Sequence, residues 1–319
     1  MVTPLRRLTC NSFELGYHGI SLISPSDAPR WAELEARYLI DSDWNPAIGG
    51  RAGGASLNHF IGGSKLTWLA CEIYGTNESA RELAARKMRT FISVMFSNLY
   101  QRDKSIFVYT DAHPNSDSIQ FPSRSSSEIF TNYMAYIGTL FPSWGNDVTL
   151  SSSDIDEIKD WYTNLQVLPM EVQKRCTAAA EFLNYGIVSG ELERFIHFFI
   201  SLDALFGVRH NVEKTITRAL LDLYKTEPFW EYRSSRLFDL RSTLVHGGCT
   251  SVEDWDGFEG YRKRTNSEPA KDVTHAAMKA LRLSPQLVHL MSPPQSVGKT
   301  GQQSTHGVLG CFFSGDALG

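Results

Sequence analysis

An arginine and a histidine lie at the end of a predicted helix in the second half of the chain. Arg241 and His246 stand five positions apart, and Gly247 and Gly248 follow them and stop the helical pattern. An imidazole titrates near neutral pH and can take up or release a proton, while a guanidinium can hold a phosphate group. The two residue types could therefore carry acid–base chemistry on a phosphate ester.

Arg241 is the unusual member of the pair, because it falls inside the apolar stripe of its own helix. At about 100° per residue, one side of this helix collects apolar side chains. They are Trp230, Leu237, Leu240, Leu244 and Val245. Burying an unpaired guanidinium is costly, so Arg241 must pair with a carboxylate, face a groove between subunits or bind an anion such as phosphate.

The helix alone brings the pair together poorly. Five residues leave Arg241 and His246 about 140° apart around the axis if both are helical. Two arrangements could solve this. Either the helix ends near Val245 and Gly247 lets His246 swing round, or the pairs of two subunits meet across a two-fold axis.

Composition limits the classes of function. The chain has 319 residues, of which 42% are apolar and 12% aromatic, enough for a sizeable core and, as a prior, two domains. The net charge of −4 argues against a generally basic nucleic-acid binder, so a nucleic-acid site would have to be a local patch.

The five cysteines are scattered without a C-x-x-C pair, which disfavours a disulfide framework and a zinc site. The most apolar segment, 194–206, is too short to span a bilayer, so we expect a cytoplasmic protein without a membrane partner.

The pattern of the chain predicts two parts with different structure. Residues 1–150 combine short alternating runs with one long helix from Thr76 or Asn77, which indicates an α+β domain of unknown, sensing or regulatory role. Residues 151–291 are predicted to form an all-α helical bundle, so that the protein is mostly helical overall. Residues 292–319 are rich in proline, glycine and glutamine and are expected to form a flexible tail. Strands are predicted at 13–17, 66–74 and 105–109, and helices at about 151–165, 169–185, 191–206, 212–223, 229–245 and 269–283.

Two segments of the second part resemble the HEPN superfamily, and specifically its Apea-like branch. The first is an apolar helix that contains Asp203, and the second, about thirty residues later, ends in the Arg241-Ser242 pair, four-residue spacing and His246-Gly247. Roughly residues 151–290 are covered. The string Arg-x4-His alone is weak, but here it occurs with the acidic helix and the glycine stop in the expected order.

The resemblance implies a metal-independent endoribonuclease that needs no cofactor and no metal, in many cases a toxin or an effector of defence against phage. His246 would be the general acid and base, Arg241 would hold the phosphorane, Asp203 would orient Arg241, and Ser242 would donate to phosphate. Many members carry asparagine, aspartate or histidine in place of Ser242. The implied partners are RNA, a second copy of the chain bound through the HEPN domain, and an antitoxin or defence-system protein.

A local patch of positive charge could contact the RNA. The candidate RNA-binding residues are Arg233, Arg236, Arg262, Lys263 and Arg264. Solvated surface charge explains the same residues more simply.

Two other functions remain open. In one, the bundle dimerises or binds RNA or a nucleotide without cutting, with Arg241 in a structural ion pair and His246 at a helix end that favours positive charge. In the other, residues 1–150 carry an unrelated activity and the bundle is a dimerisation platform.

Overall fold

The computed structural model describes residues 2–5, 8–24, 26–27, 29–30, 33, 44–45, 50–51, 67–75, 78–107, 118–124, 129–135 and 147–291. Within these residues the chain is mostly helical, with a smaller strand region towards the N-terminus. None of the described helices is long and apolar enough to cross a membrane. The predicted tail, 292–319, lies outside the described residues, as do many of the residues between the strands.

The strands of the N-terminal part form a six-stranded antiparallel sheet and two short ladders. They are β1 (Val2–Leu5), β2 (Leu8–Thr9), β3 (Phe13–Leu15), β4 (Ile20–Ile23), β5 (Trp44–Asn45), β6 (Gly50–Arg51), β7 (Thr67–Cys71), β8 (Ser118–Arg124), β9 (Ile129–Ala135) and β10 (Val148–Thr149). The order in the large sheet is β3-β4-β7-β1-β8-β9. Strand β10 pairs in parallel with β2, and β5 pairs with β6. Every residue of β7 is buried, as expected for a strand in the middle of a covered sheet.

Nine α-helices lie in the described part of the chain. They are α1 (Glu78–Arg102), α2 (Ser152–Gln166), α3 (Met170–Val188), α4 (Glu191–Phe206), α5 (Val212–Leu223), α6 (Trp230–Val245), α7 (Phe258–Thr265), α8 (Pro269–Leu283) and α9 (Val288–Met291). Two of these helices begin with a recognisable start signal. Ser151 caps α2, accepting from the backbone of Asp154 while the Asp154 carboxylate accepts from Ser151 in return. Pro269 stands in the first turn of α8, where its missing N–H costs nothing.

Helix α1 joins the sheet to the bundle. It packs against β7 on one side and against α2, α3 and α8 on others, and all its residues from 88 to 100 are buried. The Ser93 hydroxyl donates to the Ala180 carbonyl over 2.6 Å, and the Arg89 guanidinium donates to Glu181 over 3.0 Å. The core is therefore continuous across residue 150. The division into two domains stays a prediction. Any such division would have to separate α1 from α3, against which it packs.

Some sequence predictions differ from the structure. The predicted strand at 105–109 is absent from its described residues, because a 3₁₀ turn spans Lys104–Phe107, where the Asp103 carboxylate accepts from the Ser105 backbone and hydroxyl directly after α1 ends. Residues 108 and 109 lie outside the described residues. Helix α3 continues past its predicted end at 185, through Gly186 to Val188. A β-carbon on Gly186 would lie 2.4 Å from the Phe198 ring, so this glycine permits the close crossing of α3 and α4. Helix α7 was not predicted at all.

Two half-buried histidines tie stability to pH. Burial, together with the positive charges of Lys87 and Lys104 respectively, lowers the pKa of His18 and of His275 to about 4. In the unfolded chain each imidazole titrates near its ordinary value of about 6.5. Between these two pH values the unfolded chain binds protons that the folded chain does not bind. The free energy of unfolding therefore falls as the pH drops from about 6.5 towards 4.

We therefore expect His275→Gln to flatten this acid dependence. One proton contributes at most about 1.4 kcal/mol per pH unit, so the free energy of unfolding of the variant should fall less steeply between pH 6.5 and 4.5. Urea unfolding at a series of pH values measures the slope. The control is His210→Asn, an exposed histidine with φ of 69°, a conformation that asparagine accepts. A slope unchanged by His275→Gln would contradict the account.

Candidate functional site

Helix α6 carries the candidate pair, and its first half is locked into the bundle. The Trp230 ring stacks on Tyr224 with centroids 3.8 Å apart. One turn later, the Arg233 guanidinium donates to the Asp272 carboxylate over 3.3 Å and to the Thr265 carbonyl over 3.1 Å. Both Arg233 and Asp272 are largely inaccessible to solvent. These contacts fix α6 against α5, α7 and α8.

The buried carboxylate of Asp272 has three partners. Tyr261 donates its hydroxyl to it over 2.5 Å and Ser267 over 2.8 Å, in addition to Arg233. Burial raises the pKa of Asp272, while these hydrogen bonds and the arginine charge oppose that rise. Burial, and after it the charge of the same carboxylate, raises the pKa of the Tyr261 hydroxyl. Arg233, a predicted RNA-binding residue, is thus largely inaccessible to solvent and donates to partners inside the protein.

The second half of α6 ends in a defined turn. The Gly247 backbone, at φ of 73°, donates to the Leu244 carbonyl over 3.2 Å, and Gly248 donates to the Thr243 carbonyl over 2.8 Å. This pair of hydrogen bonds is a Schellman turn, which requires a left-handed residue after the last helical one. The glycine stop predicted from the sequence is confirmed.

His246 stays on the course of the helix. Its backbone N–H donates to the Ser242 carbonyl over 3.0 Å, and its φ and ψ are −92° and 6°. The chain reverses only at Gly247, so the turn does not swing His246 round towards Arg241. The side chain is exposed, and no hydrogen bond or ion pair with another described residue engages it. The imidazole is therefore accessible from solvent.

Arg241 lies in the seam between α6 and α4. Its guanidinium sits 5.6 Å from the centroid of the Phe199 ring, which itself packs edge-on against Phe238 at 4.8 Å. The side chain is half-buried, yet within the described part of the chain no hydrogen bond and no direct ion pair occupies its N–H donors. The aromatic ring holds the cation by a cation–π contact and leaves its donors available.

Asp203 is an acidic residue whose charge interacts with that of Arg241. Burial raises the pKa of Asp203, and the positive charges of Arg241 and Arg175 oppose the rise, so the carboxylate lies within the field of both arginines. Its Oδ1 atom occupies the space beside Gly207, where a β-carbon would stand only 1.7 Å away. The structure brings Asp203 and Arg241 to the same seam without a direct ion pair between them.

Sequence reasoning missed Arg175, which organises the end of α4. Its guanidinium donates to the carbonyls of Ala204 at 3.0 Å, Gly207 at 2.7 Å and Met291 at 2.9 Å. It thereby satisfies carbonyls at the end of the helix that carries Asp203. Only the spatial neighbourhood shows this role, because the three carbonyls lie 29 to 116 positions away.

The remaining predicted site residues lie mostly on the surface. Ser242 is exposed beside Arg241, and Val245, predicted to lie in the buried stripe, is 57% exposed because α6 has left the bundle by its last turn. Arg236 pairs with Asp239 over 3.1 Å, and Arg262 pairs with Glu259 over 3.3 Å.

The last two basic candidates also lie on the surface. Lys263 is exposed, and Arg264 lies 4.2 Å from the centroid of the Tyr232 ring. The exposed cations of α7 are therefore Arg262, Lys263 and Arg264. No group of three or more histidine, cysteine, aspartate or glutamate side chains in the described residues is arranged to hold a metal ion.

Comparison with known proteins finds no family model, no curated protein and no solved structure that matches this chain. The interpretation of the site therefore depends on its residues and their geometry.

We expect Gly207→Ala to disturb the Asp203 end of α4. The new β-carbon would meet the Asp203 carboxylate and lie 2.6 Å from its backbone oxygen, so the carboxylate and the helix end must move. Overpacking of this kind costs about 1–3 kcal/mol, which thermal unfolding detects as a lower Tm.

The matched control for this substitution is Gly260→Ala in the exposed face of α7. Nothing lies within 4 Å of its β-carbon position, so alanine should leave stability unchanged or raise it. Equal Tm values for Gly207→Ala and the wild type would show that Asp203 does not occupy the space beside Gly207.

Proposed function

We propose that this protein is a metal-independent endoribonuclease of the HEPN type. The observation that supports it most is the pair of uncommitted groups at one end of α6. The half-buried Arg241 guanidinium is held by an aromatic ring with its donors available, and the His246 imidazole is exposed one turn further on. By contrast, Arg233, Arg175 and Arg236 each have at least one carboxylate or carbonyl partner inside the protein.

The proposed reaction is an internal transesterification of RNA. The imidazole of His246 takes the proton of a ribose 2′-hydroxyl, and the 2′-oxygen forms a bond to phosphorus. The bond between phosphorus and the 5′-oxygen breaks, and that oxygen receives a proton from imidazolium. Products are a 2′,3′-cyclic phosphate and a 5′-hydroxyl. No water is consumed and the reaction requires no metal ion.

Arg241 would stabilise the phosphorane. Its planar fork of donors fits phosphate oxygens in a bidentate manner, and a half-buried setting strengthens the attraction to developing negative charge. Asp203 would orient the guanidinium through its charge, and the exposed Ser242 hydroxyl would add a donor to phosphate. Serine is a weaker polar group than the residues common at this position of the family that the chain resembles.

The two groups need a second copy of the chain to converge. Because His246 follows the helix course, it points about 140° away from Arg241 around the axis. We therefore propose that the site is a cleft between two bundles related by a two-fold axis, in which the exposed Val245 next to His246 supplies apolar contact. The exposed cations of α7 would hold the RNA backbone.

The cellular role follows from the resemblance alone. We propose a toxin or an effector of defence against phage that acts in the cytoplasm and is restrained by an antitoxin or a defence-system partner.

A non-catalytic binding function would use the same site. If two copies do not place His246 against Arg241, the bundle could still bind RNA or a nucleotide phosphate at Arg241. The wide angle between the two side chains favours this second function. If this second function is correct, Arg241→Ala weakens RNA binding, and neither the wild type nor any variant cuts RNA.

We expect His246→Ala and Arg241→Ala each to lower the rate of RNA cleavage at least about 100-fold, because each removes a group that acts in the transition state. Arg241→Lys should recover only part of the loss, since an ammonium cannot donate in a bidentate manner. The measurement is the cleavage of labelled RNA in excess chelator, in parallel with the mass of the protein in solution.

Two substitutions of the same types of residue serve as controls. His289→Ala and Arg209→Ala remove exposed side chains elsewhere in the bundle and should cut at the wild-type rate. If the His246 and Arg241 variants cut as fast as these controls, the nuclease assignment is wrong. A monomer that retains full activity would contradict the shared cleft.

A further inference from the structure

A cavity of about 260 Å³ lies next to the end of α6, on the side of the helix away from Arg241. Its wall includes Arg236 and Thr243 of α6, Gly248 of the Schellman turn, and Trp255 and Asp256 of the following loop. Thr243 and Gly248 flank His246 in the chain. The cavity therefore lies at the same end of α6 as the proposed general acid and base, which does not itself line it.

One wall of the cavity is a rigid, internally bonded layer. The Arg236 guanidinium lies over the Trp255 ring, 4.7 Å from its centroid, and pairs with Asp239 over 3.1 Å. The Trp255 indole N–H donates to the same Asp239 over 3.3 Å. Gly257 makes this layer possible, since a β-carbon there would stand 2.3 Å from both the Arg236 guanidinium and the Trp255 ring.

Asp256 is different from the other carboxylates of the cavity. Asp239 is occupied by Arg236 and Trp255, and Asp254 accepts from the Thr250 hydroxyl over 3.0 Å. Within the described residues, the exposed Asp256 carboxylate has no hydrogen bond and no ion pair. The cavity thus combines one uncommitted acceptor, Asp256, with a guanidinium that uses only part of its donors.

This combination favours one RNA base. An ionised carboxylate only accepts hydrogen bonds, and it accepts best from two adjacent donors. Among the four bases only guanine offers such a pair, N1–H beside the N2 amino group. Adenine and cytosine place an acceptor nitrogen beside their amino group, and uracil flanks its N3–H with two carbonyls. A guanidinium in turn donates to the O6 and N7 atoms of guanine.

The size and charge of the cavity agree with a base rather than a whole nucleotide. Pockets that hold complete small ligands commonly have volumes of about 300–1,000 Å³. The cavity carries three carboxylates against one guanidinium, so it repels phosphate and accepts a neutral group with amino donors. The phosphate would stay in the proposed cleft between the two copies, beside His246 and the Arg241 of the second copy, while the base enters the cavity.

We propose that this cavity is a guanine subsite. Asp256 accepts from guanine N1–H and N2–H, Arg236 donates to its O6 and N7 edge, and cleavage then falls beside guanosine. The inference rests on the proposed ribonuclease function and specifies its substrate preference.

The test is the sequence preference of cleavage. Wild-type protein is incubated with an RNA of random sequence, and the ends of the products are sequenced. Cleavage beside guanosine should exceed cleavage beside uridine at least tenfold, and Asp256→Asn, which replaces one acceptor with a donor, should reduce this preference at least tenfold. The matched control is Glu253→Gln, which removes the same charge from an exposed neighbour that does not line the cavity and should keep the preference.

A binding measurement separates this inference from the nuclease assignment. Guanosine 3′-monophosphate should bind the full-length protein at least tenfold more tightly than uridine 3′-monophosphate in calorimetry, and Asp256→Asn should abolish the difference. Cleavage without a base preference, or equal binding of the two nucleotides, overturns the guanine subsite and leaves the nuclease assignment standing. Selective binding of the guanosine nucleotide without any RNA cleavage supports the subsite and contradicts the nuclease.

Discussion

The ion pair between Arg233 and Asp272 is the interaction on which the arrangement of the candidate site depends. Both groups are buried, and the carboxylate is also held by the hydroxyls of Tyr261 and Ser267. A buried pair of this kind adds little net stability, but the loss of one partner leaves an unpaired buried charge and costs about 3–5 kcal/mol. The pair therefore specifies one position and rotation of α6 against α7 and α8. The same rotation sets the direction in which every later residue of α6 points.

This rotation divides the end of α6 between two environments. One side turns Arg241 towards Phe199 and Asp203 of α4, where an aromatic ring holds the cation without consuming its donors. The opposite side lines the cavity over which Arg236 and Trp255 form a rigid wall. His246 stands where the helix ends, accessible from solvent. A single helix thus carries Arg241, His246 and one wall of the cavity on different sides.

The sequence predicted the parts of this arrangement that local signals control. The apolar spacing of α4 and the Gly247 stop each act within a few residues, and each is present in the structure. The place of Arg241 at the edge of the core also followed from helical periodicity. Periodicity says which side of a helix is apolar, but it does not say what that side meets.

The features that the sequence left open all depend on distant partners. Arg233 has a charge that looks available for RNA until Asp272, 39 positions later, is placed beside it. Helix α1 carries apolar residues around most of its surface because the sheet and three helices cover it, and its pattern alone could not name those neighbours. Helix α7 has eight residues, too few for a clear period, and is held by Tyr261 in the bundle. In each case tertiary contacts decide the outcome.

The central claim is that His246 and Arg241 carry out an internal transesterification of RNA. The chemistry of the product ends tests it most directly, because the reaction requires a 2′-hydroxyl and no metal. In excess chelator, the protein should leave a 2′,3′-cyclic phosphate and a 5′-hydroxyl on RNA, and it should leave intact the same sequence with every 2′-hydroxyl methylated. Products with a 5′-phosphate and a 3′-hydroxyl, or cutting of the methylated strand, would contradict the account.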